Sequence, residues 1–226
     1  YNDNGMSGLL TEEGTAYDLN IKMFNKLQNT ITGWPGGKPF ADDSNRPERA
    51  SPSKKRVIIF SPHPDDDVIS MGGTFDRLVQ QGHEVHIAYQ TSGNIAVSDE
   101  EALKFAEISK AFNKDSEKVI DIIEFIKNKK GNDIIDSLDV RKLKGAIRKS
   151  ESLAATRYLR LPDKNVHFLN LPFYETGTIK KGNLSKEDIA KMKDIIDTVK
   201  PHQIYAAGDL ADPHGTHKVC LDALFA

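Results

Sequence analysis

The chain has 226 residues, of which 38% are hydrophobic and 28% charged, an ordinary globular composition with enough length for one sizeable core. Its 31 lysines and arginines nearly balance its 33 aspartates and glutamates, which leaves a net charge of -2. This balance excludes the basic surface of a nucleic-acid-binding protein and the electrostatic attraction of a protein to anionic membranes. We therefore expect a small, neutral or weakly charged partner molecule, although one or two local basic groups could still hold a small phosphate.

The sequence also gives expectations about the cellular compartment and about whether the chain is a fragment. No apolar run reaches the roughly 18 residues that a membrane-spanning helix needs. The single cysteine, Cys220, excludes an internal disulfide and is interpreted as a small buried hydrophobe, which suits the reducing cytoplasm. The chain starts without Met or a signal peptide, and the helix predicted after His217 has no stop signal. We therefore expect a fragment of a longer protein, truncated at its C-terminus.

Residues 1–55 are predicted to be a helical lead-in and a linker. One amphipathic helix is predicted within Thr11–Trp34, and a connector rich in proline, glycine and polar residues follows it. Gly36-Gly37-Lys38 resembles part of a phosphate-binding loop. We interpret it as linker, because Pro39 occupies the position of the required Ser or Thr and no strand precedes it.

An organised domain is predicted from Arg56 to residue 226. Val57–Phe60 is a continuous apolar run, the pattern of a strand that is buried on both faces of a parallel sheet. Strands and helices then alternate, which predicts right-handed crossovers and an α/β fold whose mostly parallel sheet is covered on both faces. The predicted strands are 57–60, 84–91, 166–170 and 203–207, and the predicted helices are 68–81, 98–112, 115–130, 136–159 and 185–200, with a last helix after His217.

Two polar clusters directly follow the first and the fourth predicted strand. Residues 61–67 read Ser-Pro-His-Pro-Asp-Asp-Asp, and residues 208–217 read Gly-Asp-Leu-Ala-Asp-Pro-His-Gly-Thr-His. Ligands of such folds bind beyond the carboxyl ends of the strands, so the fold should bring the two loops together. The other histidines lie on predicted strands or strand edges, and we interpret them as structural; they are His83, His86, His167 and His202.

Together the clusters offer the ligands of a catalytic zinc site. Two histidines and one aspartate can hold the metal at roughly 2.0–2.2 Å and leave a position open for water, while a further carboxylate can accept the proton of that water. Asp65 and Asp66 are adjacent in a loop, so one can bind metal while the other faces the substrate. His214 and His217 are spaced i, i+3 at a helix start, so one can bind metal while the other stands over the substrate.

Pro62-His63-Pro64-Asp65-Asp66 after a buried strand, with Gly72-Gly73-Thr74 in the next helix, resembles the LmbE/PIG-L family of zinc-dependent de-N-acetylases. The resemblance covers about residues 56–226 and implies a Rossmann-like fold of three layers, αβα. Further matching motifs are Thr91-Ser92-Gly93, Arg148-x-x-Glu151 with Ala154 and Ala155, and His214-x-x-His217.

The resemblance implies a role for each residue of the two clusters. His63, Asp66 and His217 would bind Zn²⁺ or another divalent metal, Asp65 would be the general base, and His214 a catalytic histidine. The implied reaction removes an acetyl group from an N-acetylated amino sugar or a related small amide. The chain departs from the family at Asp67, where Glu is usual, and in the segment 171–177, so the resemblance leaves substrate specificity open.

Other functions are considered beside this one. The lead-in and the domain together resemble the C-terminal part of longer bacterial proteins that join a glucosamine-6-phosphate deaminase-like domain to an LmbE-like domain, so we expect a covalently linked preceding domain. A non-catalytic carbohydrate-binding module on the same fold is a further alternative, as is hydrolysis of an ester or a phosphate. A phosphate would need Arg or Lys at the site, and neither polar loop contains one before Lys218.

Overall fold

The computed structural model describes residues 7–30, 54–131, 134–209, 211 and 214–226, with no side-chain detail for residues 25–30. Most of the predicted linker, including the Gly36-Gly37-Lys38 segment, lies outside these residues. Within the described part, every helix is too short or too polar to cross a bilayer.

The lead-in contains two helices where the sequence analysis predicted one. Helix α1 (Ser7–Glu13) and helix α2 (Ala16–Thr30) are separated at Gly14, whose φ of 96° is incompatible with a continuous right-handed helix. Thr15 then caps α2: its hydroxyl accepts from the Asp18 N–H at 3.2 Å, and its own N–H donates to the Asp18 carboxylate at 3.2 Å. Helix α2 lies within the predicted range Thr11–Trp34, whereas α1 was not predicted as a separate helix; Gly-Thr-x-x-Asp at residues 14–18 marks the boundary between them.

A four-stranded, entirely parallel sheet forms the centre of the domain. Its strands are β1 (Arg56–Ser61), β2 (Glu84–Tyr89), β3 (Val166–Phe168) and β4 (Gln203–Ala206), in the order β3-β2-β1-β4. In the register of the central strands, Ile59 lies beside Ile87 on one side and Tyr205 on the other. The predicted α/β fold with a parallel sheet is confirmed, although β2 and β3 each end two residues earlier than predicted.

Helices cover both faces of the sheet. Alternate residues of β1 point to opposite faces: Ile58 and Phe60 pack on one side, and Val57 and Ile59 on the other. The helices are α3 (Asp66–Gln80), α4 (Asp99–Phe112), α5 (Glu117–Glu124, continued by a π-helical turn over Phe125–Lys129), α6 (Leu138–Tyr158), α7 (Lys186–Val199) and α8 (Thr216–Phe225). The first side packs against α7 and α8 and the second against α3, which gives the Rossmann-like αβα arrangement.

Cys220 is buried in the core beneath α8, as predicted for a small hydrophobe.

Two helix starts differ from the predictions and define the site. Helix α3 begins at Asp66, two residues earlier than predicted, and α8 begins at Thr216. Because β1 and β4 are neighbours, the loops that lead into these helices meet at one edge of the sheet.

Candidate metal centre and active-site cavity

The loop that follows β2 holds the turn between β1 and α3 in place. The Thr91 hydroxyl donates to the Pro62 carbonyl oxygen at 2.7 Å, which ties the loop after β2 to the loop after β1. Gly93 packs directly against Pro64: a Cβ at position 93 would lie 2.7 Å from the Pro64 Cδ, and its φ of 63° also favours glycine. These contacts fix His63 at the mouth of the sheet.

The three consecutive aspartates of this turn have different partners. The Asp65 carboxylate forms an ion pair with Arg148 at 2.8 Å. Asp66 faces the histidines of the two polar loops. Asp67 is 1% exposed and accepts a hydrogen bond from the Tyr89 hydroxyl at 2.9 Å. The expectation that Asp65 and Asp66 serve different partners therefore agrees with the geometry, and Asp67, where the family usually has Glu, holds the turn to β2.

Three donor atoms from the two loops converge on one point. The His63 Nδ1 lies 3.2 Å from the Asp66 Oδ2 and 3.2 Å from the His217 Nε2, and the latter two atoms are 3.3 Å apart. Ligand bonds of 2.0–2.1 Å at tetrahedral angles separate neighbouring donors by about 3.3 Å. The triangle therefore fits a tetrahedral divalent metal whose fourth position is open, and within the described residues it is the only group of three such donors.

The electrostatics of Asp66 and Asp67 differ although the residues are adjacent. Partial burial alone would raise the pKa of the Asp66 carboxyl, but hydrogen bonds from His63 and the nearby charges of the His217 and His63 rings outweigh burial and hold the pKa below its usual value. Burial dominates at Asp67 and raises the pKa of its carboxyl against the hydrogen bonds from Tyr89 and Ser61. Asp66 is therefore the anionic group at the point where the histidines meet.

His214 and His217 lie in different surroundings, although their i, i+3 spacing predicted that they share one helix face. Helix α8 starts only at Thr216, after Gly215 with a φ of 70°, so His214 lies before the helix and does not share its face with His217. His217 joins the donor triangle, and its Nδ1 lies 3.9 Å from the Asp209 carboxylate. His214 is exposed and lines the neighbouring cavity.

A cavity of about 410 Å³ opens beside the donor triangle. Its floor and rim carry His63, Asp65, Asp66 and His214, and its walls carry the apolar or aromatic side chains Ile95, Ala96, Tyr174 and Ile179 together with Arg148 and Lys181. The volume and mixed lining are those of a site for a small molecule.

Four residues that contribute to this site received no role from the sequence. Tyr174, Lys181, Arg148 and Asp209 come from separate parts of the chain. Arg148 could have been suspected, because it belongs to the Arg148-x-x-Glu151 motif, and Asp209 lies within the second polar loop. Tyr174 and Lys181 lie in or next to the segment 171–177 that departs from the family, and no local signal indicated them. The sequence analysis looked for Arg or Lys in the two polar loops alone, whereas Arg148 and Lys181 reach the cavity from other parts of the chain.

The remaining histidines have structural partners away from the cavity. The His83 Nδ1 accepts from the Lys55 backbone N–H, and the His202 Nδ1 from that of Arg56, each at 3.0 Å. The rings of His86 and His167 stack with centroids 5.3 Å apart on neighbouring strands. These contacts agree with the structural interpretation of all four.

Fold and site together define a Rossmann-like α/β protein whose strand ends carry a donor set suited to a divalent metal. The model of the PIG-L family, described as GlcNAc-PI de-N-acetylase, matches residues 58–226. The chain therefore belongs to the PIG-L family, as its motifs indicated, and this is a family of hydrolytic deacetylases.

A curated relative aligns with the whole chain. A protein of Bacteroides thetaiotaomicron, whose name describes it as glucosamine-6-phosphate deaminase-like, is 57% identical over 235 aligned residues. The alignment includes 100% of this chain but only 35% of the relative, so the chain spans about a third of that protein's length.

Proposed function

We propose that this chain is a zinc-dependent hydrolase that removes the acetyl group from an N-acetylated amino sugar or a related small amide. The observation that carries the proposal is the donor triangle of His63, Asp66 and His217, with separations of 3.2–3.3 Å, beside a cavity that Asp65 and His214 also line. Membership of the PIG-L family supports the reaction class.

The donor set favours zinc over magnesium or calcium. Two imidazoles and one carboxylate are typical ligands of catalytic zinc, whereas the harder cations prefer oxygen ligands alone. His63, Asp66 and His217 would hold the ion. When bound there, it would polarise the amide carbonyl and make a water acidic enough to attack at neutral pH.

We infer that Asp65 acts as the general base. Its carboxylate lines the cavity and lies outside the donor triangle, so it can accept a proton from the attacking water. The Arg148 guanidinium, 2.8 Å away, orients that carboxylate. As the water oxygen bonds to the carbonyl carbon and the C–N bond breaks, the leaving nitrogen takes up a proton from Asp65 or from His214. Acetate and a free amine are the products.

We infer that His214 is the second catalytic residue. It is exposed in the loop before α8 and lines the same cavity as Asp65. A protonated ring there would donate a hydrogen bond to the carbonyl oxygen as negative charge develops, or supply the proton to the amine. The walls formed by Tyr174 and Ile95 would pack against the body of the substrate.

We further propose that the chain acts in amino-sugar metabolism, attached to a deaminase-like domain. The support is the name of the 57% identical relative, which is glucosamine-6-phosphate deaminase-like, and the 35% of its length that the chain spans. In that arrangement the deacetylase would supply a free amino sugar to its covalent neighbour.

Amine release tests this function directly. The protein, loaded with zinc, is incubated with a panel of N-acetylated sugars, and free amine and acetate are measured in equal amounts if the proposal holds. Removal of the metal with a chelator should stop the reaction, and added zinc should restore it. An absence of turnover on every acetamide, with ester or phosphate hydrolysis in its place, would assign the site to a different hydrolase.

A further inference from the structure

A second cavity, of about 530 Å³, lies along α6. Residues of α6 between Leu138 and Lys149 form much of its lining, together with Phe168 at the end of β3. We call it the α6 cavity. None of the residues proposed for metal binding or for catalysis lines it, so the reaction proposed above makes no use of it.

The α6 cavity adjoins the active-site cavity, because three loops contribute to both. Pro64, Ser92 and Glu175 line the α6 cavity, and their chain neighbours Asp65, Gly93 and Tyr174 line the active-site cavity. Helix α6 is shared in the same way, since Arg148 lines the active-site cavity and Lys149 the α6 cavity. The two cavities are therefore neighbours that share one wall.

The lining of the α6 cavity is basic. Three cations of α6 line it, Arg141, Lys142 and Lys149, against a single carboxylate, that of Glu175. The Arg141 Nη1 donates to the Glu175 carbonyl oxygen at 2.8 Å, and the Lys149 Nζ lies 4.7 Å from the centre of the Phe168 ring. Both contacts involve neutral groups. Within the part of the chain that the structure describes, none of the three cations forms an ion pair.

The one carboxylate of this lining is turned towards the protein. The Glu175 Oε2 accepts a hydrogen bond from the buried Asn94 side chain at 3.1 Å, and the Glu175 Oε1 is itself buried. Lys144 on the same helix shows the alternative, because Asp99 and Asp136 pair with it. The α6 cavity therefore keeps a surplus of positive charge on a concave surface, where the field that attracts an anion is focused.

We propose that the α6 cavity is a second ligand site, which binds a small molecule bearing a phosphate or a carboxylate. The Arg141 guanidinium is held in place by its bond to the Glu175 carbonyl oxygen, and its remaining N–H groups match the geometry of either anion. Lys142 and Lys149 would add positive charge, and Phe168 an apolar surface for the body of the ligand. Binding here needs none of the residues proposed for hydrolysis.

Calorimetry tests the site with glucose 6-phosphate, and with glucose as the uncharged control ligand. The wild type should bind the phosphate at least about 10-fold more tightly than glucose, because only the phosphate makes charge-assisted hydrogen bonds. Lys142→Met combined with Lys149→Met should weaken phosphate binding by about 10-fold, a few-fold for each solvent-exposed charge. Lys110→Met combined with Lys118→Met is the matched control, since both lysines are exposed and lie outside this cavity.

Inhibition kinetics identifies the source of the anion. Competitive inhibition of N-acetylglucosamine hydrolysis by glucose 6-phosphate would show that the α6 cavity holds the anionic end of the substrate. An unchanged KM for N-acetylglucosamine at saturating glucose 6-phosphate would show that the cavity binds a separate ligand.

Asp66→Asn distinguishes the α6 cavity from the proposed metal site. Its affinity for glucose 6-phosphate should match that of the wild type, and a loss of binding in this variant would place the phosphate at the metal and overturn the inference. Equal affinities of the wild type and of the Lys142 and Lys149 double variant would overturn it as well. If no acetamide is hydrolysed but the calorimetry follows the expected pattern, the proposed hydrolysis fails and the anion site stands.

Discussion

Two groups of charged side chains in this molecule differ in how completely they pair. On one side of the domain, Lys144 lies 2.7 Å from Asp99 and 2.8 Å from Asp136, and Lys130 contacts the same two carboxylates. Two cations therefore match two anions. In the donor triangle, by contrast, one carboxylate faces two imidazole rings, and the donor atoms of His63, Asp66 and His217 lie close enough together to bind one cation.

The difference indicates which group is structural and which is functional. The lysine and aspartate cluster ties α4 and α6 together through Lys144, whose side chain is 5% exposed, and it needs no ligand. The donor triangle lies at the ends of β1 and β4 beside an open cavity. Changes in the first cluster should therefore affect stability, and changes in the second should affect metal binding and catalysis.

The largest effect is expected for Asp65→Asn, which keeps the shape of the side chain but removes its ability to accept a proton. Turnover of an N-acetylated sugar should fall by roughly 10²–10⁴-fold, the usual contribution of a general base. Zinc content should stay near that of the wild type, because the three proposed ligands remain. Asp76→Asn, on the helix α3 that follows this turn but outside the cavity lining, is the control. A loss of zinc from Asp65→Asn would mean that Asp65 and Asp66 have exchanged roles.

Lys144→Met should produce the opposite profile. Removal of this ammonium leaves the half-buried carboxylates with one cation, and the free energy of unfolding should fall by about 2 kcal/mol, below the range for a fully buried pair because Asp99 is 40% exposed. Urea unfolding measures this change, and metal content should not alter. The exposed Lys142→Met on the same helix should change stability by less than about 0.5 kcal/mol. If Lys144→Met and Lys142→Met lowered the free energy of unfolding equally, the lysine and aspartate cluster would not be the structural group described above.

A smaller effect is expected for Asp209→Asn. The carboxylate lies 3.9 Å from the His217 Nδ1 and is 56% exposed, so it orients that ring weakly. Metal affinity should fall about 10-fold, at the low end of the effects of such outer partners. Asp222→Asn, on the exposed side of α8, should leave affinity unchanged. An unchanged affinity in Asp209→Asn would show that the ring is held by other contacts.

The smallest effect concerns acid stability. Burial alone would raise the pKa of the Asp99 carboxyl, but Lys130 and Lys144 outweigh it and hold the pKa below 3.8. A lowered folded pKa means that the stabilisation is complete at higher pH and is lost as the pH falls through that value, below about pH 4. The difference in unfolding free energy between the wild type and Asp99→Asn should therefore shrink between pH 5 and pH 2.5. A constant difference would contradict this assignment.

The sequence was sufficient for the scaffold and for the convergence of the two loops. The apolar run Val57–Phe60, the alternation of strands and helices, and the polar clusters after β1 and β4 predicted a parallel sheet with both loops at one edge. The sequence patterns did not predict helix boundaries that depend on a single glycine. Gly14 separates the unpredicted helix α1 from α2, and Gly215 places His214 outside α8.

The cavity walls could not be predicted, for a physical reason. Arg148 is on α6, and Lys181 follows Tyr174 by seven residues in an irregular segment. Only the packing of these elements over the strand ends brings both residues into the cavity lining. No periodicity or motif spacing encodes such a long-range contact. The cavity walls are therefore the part of the site that local sequence reasoning does not reach.

Metal content is the most direct test of the central claim that His63, Asp66 and His217 form a divalent metal site. The wild type and Asp66→Asn are purified in parallel, supplied with zinc, dialysed and measured by elemental analysis, with circular dichroism to verify folding. The wild type and Asp65→Asn should retain one zinc ion per chain, and folded Asp66→Asn should lose most of it and regain activity only at high zinc. A wild type that retains no metal, or an Asp66→Asn variant that retains as much as the wild type, would contradict the claim.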